Sequence, residues 1–217
     1  MTHPPVAVKV WGDFACFTRP EMKVERVSYP VMTPSAARGL LESIFWKPEF
    51  TWEIRSIAVL RPIRYFSVLR NEVKTKASIR SVRGWVSEGG AYYADEERTQ
   101  RHTLALRDVA YLIAADPVLR THADADVAKY RDQFRRRVAR GQCFQAPYLG
   151  CREFVAAFGE PDGSERPEPL TESLGRMLFD LTYPAEQQTE RSTPVFFEAA
   201  LEDGVLHVPA ALYAKGR

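Results

Sequence analysis

The sequence predicts an α+β fold in which helices cover one face of an antiparallel sheet. Three observations support it. Two segments carry apolar residues at helical spacing, several short segments alternate apolar and polar residues, and residues 6–158 run strand–helix–strand–strand–helix–strand. That order is the split βαβ, or ferredoxin-like, arrangement, which RNA-recognition (RRM-like) modules also use in modified form. The remainder reads as a C-terminal antiparallel β extension, so two units are expected, 1–158 and 159–217. Architecture of this kind is shared by many unrelated proteins and does not by itself give a function.

Taken in order, Val6 to Trp11 alternates as a strand does, and Gly12 ends it. Some twenty residues follow before Thr33, Pro34 and Ser35 open a helix, Thr33 as cap and Pro34 at the first helical position. Ala37, Leu40, Leu41, Ile44 and Phe45 share one face of that helix, with Arg38 and Glu42 opposite. Pro48 stops it, and Lys47 suits the negative end of the helix dipole. Trp52 to Pro62 is the second strand, and Tyr65 to Val73 extends it or returns from it. Residues 74–100 are polar, and Gly89-Gly90 with Tyr92-Tyr93 suggests a hairpin or mobile excursion. Thr103 to Ala115 reads as a central strand, interrupted only by Arg107 and Asp108.

Asp124 to Arg140 is the second helix. Val127, Tyr130, Phe134 and Val138 form its apolar stripe, Lys129, Arg136 and Arg140 the opposite face, and Gly141 ends it. Gln142 to Phe158 gives a loop and strand, and 159–168 a linker. Strands over 175–182, 193–201 and 205–208 complete the extension, interrupted by the polar connection PAEQQTERST at 184–193.

The 217 residues are 45% hydrophobic and 27% charged, ordinary for a soluble chain with a real core. The net charge of +2 hides a gradient: residues 1–160 hold 25 Lys/Arg against 18 Asp/Glu, and residues 161–217 hold 5 against 10. A basic body favours phosphate-rich partners without choosing DNA over RNA. Cys16, Cys143 and Cys151 have no zinc spacing and fit a reduced, intracellular setting. Neither a signal peptide nor an apolar run long enough to span a membrane is evident, so a cytoplasmic protein is expected. Between Gly12 and Thr33, Lys23, Arg26, Tyr29 and Phe17 combine cations for phosphates with rings for bases. An ordinary β-to-α connection with surface charge is the alternative reading of that stretch.

Four segments carry a closer likeness: GDFACFTRPEMKVERVSYPVMTPSAARGLLESIFWKP at 12–48, RNEVK at 70–74, TLALRDVAYLI at 103–113 and FRRRVARGQCFQAPYLGCREF at 134–154. They resemble the Dvulg-subtype branch of the fifth CRISPR-associated (Cas) family, from type I-C systems. The resemblance implies a repeat-RNA endoribonuclease with a modified ferredoxin-like domain. Such proteins cut precursor CRISPR RNA at the 3′ base of the repeat hairpin without a metal ion. They then stay on the 5′ handle in a surveillance complex with the family-seven backbone and family-eight large subunits.

Metal-free cutting uses the 2′-hydroxyl of the RNA as nucleophile. It needs a base for that hydroxyl, a proton for the leaving 5′-oxygen and a cation for the developing phosphorane charge. The resemblance implies a tyrosine, lysine and histidine set. Here Phe45 stands at the tyrosine position, in Ile44-Phe45-Trp46-Lys47-Pro48, and Lys129-Tyr130 at the lysine–histidine pair. One reading keeps cleavage, with Lys129 as cation, Tyr130 in proton transfer and His102 contributing, since histidine titrates in the useful range. The other is a non-cleaving scaffold that grips the RNA handle, and a third reading is a non-specific binder of duplex DNA. Lys23, Arg26, Tyr29, Arg38, Arg136 and Arg140 are the expected RNA contacts, with Phe45 in the active-site pocket. His3, His122 and His207 carry no signal, and no residue cluster has metal-ligand spacing, so neither metal nor cofactor is expected. Phe45 and Trp46 are expected to pack under the sheet.

Overall fold

The computed structural model describes residues 3–75, 77–182 and 192–214. In chain order the elements are β1 (Val6–Ala15), β2 (Arg26–Val27), α1 (Pro34–Ile44), β3 (Phe50–Val59), β4 (Tyr65–Val73), α2 (Ile79–Glu88) and β5 (Arg98–Leu119). Then come α3 (Val127–Ala139), β6 (Ala157–Gly159), β7 (Glu172–Thr182), β8 (Thr193–Glu202), β9 (Val205–His207) and α4 (Ala211–Ala214).

One sheet runs β6-β1-β5-β3-β9-β8-β7, with β2 and β4 pairing with β5 off this path. Its first four members, β6-β1-β5-β3, have the strand order of a ferredoxin-like core, and all their pairings are antiparallel. The fold is a modified form of that core because β5 is 22 residues long and carries two sets of partners. Its second half lies between β1 and β3, while its first half pairs with β4 and, over Thr103 and Leu104, with β2. The change occurs near Asp108, which the register with β1 skips and whose φ is 55°. Aspartate is among the few residues that tolerate that conformation.

The C-terminal strands continue the same sheet, since β9 pairs with β3 over Ser56–Ala58. The unit boundary expected at 158/159 falls inside β6. The polar connection expected at 184–193 lies, up to residue 191, outside the described residues.

Helix α1 packs on β3 and β7, and α3 on β5, β1 and β6. Their apolar stripes explain why: α1 buries Ala37, Leu40, Leu41 and Ile44, and α3 buries Tyr130, Phe134 and Val138. Each fully buried large side chain contributes roughly 1.5–3 kcal/mol relative to exposure. Thr33 caps α1 by accepting from the Ala36 N–H at 3.3 Å, and Asp126 caps α3 by accepting from the Ala128 N–H at 2.8 Å.

The polar stretch 74–100 contains α2, which buries none of its residues and leaves Ile79 and Val86 largely exposed. The stretch between β1 and α1 differs from the expected binding surface of cations and rings. Phe17, Tyr29, Val31 and Met32 are all buried, because β2 binds β5 and the Tyr29 N–H donates to the Phe17 carbonyl at 2.8 Å.

Candidate active site

Helix α1 ends early, and the way it ends builds the site. The Phe45 N–H closes the last turn on the Leu41 carbonyl at 2.8 Å, and the backbone then becomes extended, with φ −151° and ψ 116°. The Phe45 ring enters the core, its centroid 5.5 Å from that of Phe50, and its carbonyl accepts from Trp52 Nε1 at 3.0 Å. Trp46 turns outward instead and is 54% exposed, so only Phe45 of the expected pair packs inside. The helix is capped from α3: Arg137 Nη1 donates to the Ile44 carbonyl at 3.0 Å, with its guanidinium 5.4 Å from the Phe45 ring. Arg137 therefore meets the negative end of the α1 dipole in the way expected of Lys47, which lies beyond the helix end.

The strap from Trp46 to Glu49 then runs beside the segment leading into α3. The Arg120 N–H donates to the Glu49 carbonyl at 2.8 Å, and His122 Nε2 lies 3.0 Å from the Pro48 carbonyl. Four residues further on, Asp126 starts α3, and Lys129 projects from its first turn, exposed. Lys129 Nζ is 5.8 Å from the Tyr130 ring, which packs 5.2 Å from Phe50.

Tyr130 lies in the core, unlike the exposed group that the expected proton-transfer role calls for. It is 2% exposed, and among the described residues its hydroxyl is buried with no hydrogen-bond partner. Burial, with the charges of Glu49 and Asp124, pushes the phenol upward, so it stays protonated and closed to a substrate. His102 is also displaced from the expected set. It lies in the outer half of β5, where its N–H donates to Glu25 Oε2 at 2.7 Å. Asp116, which ion-pairs with Arg131 of α3, is fourteen residues further along the strand. At about 3.3 Å per residue that path is on the order of 45 Å. Of the expected catalytic set, Lys129 is exposed in the first turn of α3, with the buried Tyr130 ring 5.8 Å from its ammonium.

The expected RNA contacts divide in two. Lys129, Arg136 and Arg140 lie on one exposed stripe of α3, which at 1.5 Å per residue is about 16 Å long. Lys23 is exposed after the turn at Pro20–Met22, and Arg26 is half-buried, ion-paired with Glu72 at 3.4 Å and Glu153 at 3.7 Å. Both sit near the outer half of β5, away from α3. Tyr29 is fully buried, accepts the Leu178 N–H at 3.2 Å and has the Arg19 guanidinium 4.5 Å from its ring, so it offers no face to a base. Arg38 is a structural clamp: its guanidinium grips Asp180 through two 2.8 Å bonds and Glu42 through one of 2.7 Å.

Two further residues reach the site without a motif to mark them, His122 and Arg137. The signal for His122 is the register of β3 on β5. Phe50 opposes Leu119, so continuing that pairing brings Pro48 beside residues 121 and 122. A third feature is Phe144, 82% exposed, in a loop whose Phe144 and Gln145 N–H groups both donate to the Ser43 carbonyl, at 2.8 and 3.0 Å. Among the described residues no group of three His, Cys, Asp or Glu side chains is placed to hold a metal ion, and no helix is long and apolar enough to cross a membrane.

Comparison with known proteins adds relatives along nearly the whole chain. The family described as CRISPR-associated protein (Cas_Cas5), in its Cas5d form, matches residues 6–209. A CRISPR pre-crRNA endoribonuclease Cas5d of Thermus thermophilus is 48% identical, covering 95% of this chain and 92% of its own. Its counterpart in Mannheimia succiniciproducens is 45% identical and covers 94% of each chain. Among solved structures, a CRISPR-associated protein superposes with a TM-score of 0.67 at 21% identity, over 96% of this chain and 95% of that one. A functionally uncharacterized protein of Streptococcus mutans gives 0.65 at 20% identity, over 94% and 91%.

Proposed function

The chain belongs to the Cas5d branch of the CRISPR-associated Cas5 family, and from that membership we propose that it is an endoribonuclease that processes precursor CRISPR RNA. The cut falls at the 3′ base of the repeat hairpin, by attack of the 2′-hydroxyl on the neighbouring phosphate. The protein then stays on the 5′ handle in a type I-C surveillance complex, beside the family-seven backbone and family-eight large subunits. This work belongs in the cytoplasm, where transcripts are made.

The observation that supports this reading is the exposed stripe of α3 that starts at Lys129 and continues through Arg136 to Arg140, beside the strap of Trp46 to Glu49. Lys129 meets the charge that develops on the reacting phosphate, and the two arginines track the flanking backbone. Trp46 and Phe144, both exposed beside the end of α1, supply rings on which unpaired bases stack. Tyr130 and Phe45 form the apolar floor that holds the strap and the start of α3 together.

A second reading, in which the protein grips the handle without cutting, draws on one observation. Phe45 has no proton to give and Tyr130 is buried, so neither family position offers proton transfer. Incubation with the protein's own repeat RNA in EDTA separates the two. A single cut at the 3′ base of the hairpin, giving a 2′,3′-cyclic phosphate and lost when that nucleotide lacks its 2′-hydroxyl, supports the enzyme. RNA that is bound but left whole, with or without divalent metal, supports the scaffold. Binding to duplex DNA as tight as to repeat RNA would move the basic stripe to a DNA role.

A further inference from the structure

We propose that His122 is the general base of this site, taking the proton of the attacking 2′-hydroxyl on its Nδ1. The inference rests on the endoribonuclease reading above and supplies the proton acceptor that Phe45, Tyr130 and His102 do not.

His122 hydrogen-bonds the strap itself, through the Pro48 carbonyl at 3.0 Å, on an exposed loop seven residues before Lys129. The other histidines lie elsewhere in the fold: His3 precedes β1, His102 is in the outer half of β5, and His207 pairs with Ser56 in β9.

The hydrogen bond also selects the useful tautomer. A carbonyl oxygen only accepts, so Nε2 of His122 carries the proton and donates it to Pro48. In the neutral ring that leaves a lone pair on Nδ1. A backbone carbonyl that fixes one nitrogen so that the other can work is a recurrent device of functional histidines. The charged groups on the segments that meet here are Lys47 and Glu49 from the strap, Arg120, Asp124 and Asp126 from the histidine's own loop, and Lys129 from the first turn of α3. Their signs are mixed, and the buried Tyr130 phenol beneath them stays neutral.

The step then balances. Nδ1 takes the 2′-hydroxyl proton as the 2′-oxygen bonds to phosphorus. The Lys129 ammonium faces the charge on the non-bridging oxygens and gives a proton to the 5′-oxygen as the P–O5′ bond breaks. The products are a 2′,3′-cyclic phosphate and a 5′-hydroxyl. Lys129 then regains a proton from solvent and His122 releases one to it.

The test is single-turnover cleavage of the protein's own repeat RNA in EDTA, as a function of pH, for wild type, His122→Gln, His122→Ala and His102→Ala. Glutamine keeps an N–H for the Pro48 carbonyl but does not titrate, so it guards against loss of the fold. We expect His122→Gln to cut about 10²–10⁴-fold more slowly, the usual contribution of a positioned base. Wild type should show an acidic limb that the His122→Gln profile lacks, while RNA affinity is kept. Added imidazole should restore part of the activity of His122→Ala, and His102→Ala should match wild type. Wild-type cutting by His122→Gln would overturn the proposal, and so would a slower rate with the acidic limb intact, which would make His122 a positioning residue only. Wild-type protein that binds the RNA and leaves it whole would overturn the endoribonuclease reading itself, and this inference with it.

Discussion

The Arg137 guanidinium donates to the Ile44 carbonyl at 3.0 Å, so a side chain of α3 closes the end of α1 one residue before Phe45. Two helices that share no sequence signal are thus tied at the point where the strap begins. Arg137→Ala removes that donor from the Ile44 carbonyl and should cost about 1.5–3 kcal/mol, the range for a hydrogen bond to a charged group. A urea titration reads this directly. An unchanged midpoint would mean that solvent serves the carbonyl equally well.

Arginines of α1 and α3 should separate by function. Arg38 is held by Asp180 and Glu42, so Arg38→Ala should destabilise the fold, by about 1–3 kcal/mol, and leave the salt dependence of RNA binding unchanged. Arg136→Ala and Arg140→Ala should do the reverse. Each should lower affinity and reduce the slope of log affinity against log salt by roughly 0.7, the value for one phosphate contact on a single strand. Binding titrations at several salt concentrations check both. An altered slope for Arg38→Ala would return that residue to the RNA surface.

The buried Tyr130 should behave as a core aromatic. Tyr130→Phe removes a hydroxyl with no partner among the described residues, so stability should change by less than about 1 kcal/mol and cutting should persist. Tyr130→Ala opens a cavity beside Phe50 and should cost about 3–5 kcal/mol. Denaturation and cleavage assays on the pair decide it. A cleavage defect in Tyr130→Phe at full stability would give the phenol a chemical role after all.

Stability at high pH follows from other buried phenols. Burial raises Tyr111 and Tyr213 above their ordinary value of 10.0, as it does Tyr29. A raised acid resists ionisation in the folded state, while the unfolded chain ionises near its ordinary value. The contribution is therefore complete below about pH 10 and is lost as pH rises above it. Unfolding free energy should fall steadily from there, with tyrosinate absorbance appearing only on unfolding for these residues. Tyrosinate formed in the folded protein in proportion to all nine tyrosines would contradict it.

The sequence patterns that held are those in which burial sets the period. Ala37, Leu40, Leu41 and Ile44, and Tyr130, Phe134 and Val138, fall on the buried faces of α1 and α3 as their spacing predicts. Where side chains stay outside, that signal fades: α2 buries nothing, and β5 begins with the exposed arm of Arg98 to His102 before the apolar run. Around Tyr29 the failure is different. Cations and rings read as a binding surface, but the pairing of β2 with β5 turns the ring inward. His122 was illegible for a third reason. Its place beside Pro48 depends on the register of β3 on β5, a non-local fact with no local pattern.

The most direct measurement for the account is Lys129→Ala, assayed for single-turnover cutting of the protein's own repeat RNA and, separately, for affinity. Lys129 is exposed in the first turn of α3 and assigned the charge of the reacting phosphate. Cutting should slow about 10²–10³-fold, as for loss of one group that stabilises developing charge. Affinity should change by less than about tenfold, as for one phosphate contact among several. Cutting at the wild-type rate, or losses of rate and affinity that match, would contradict an active site at the start of α3.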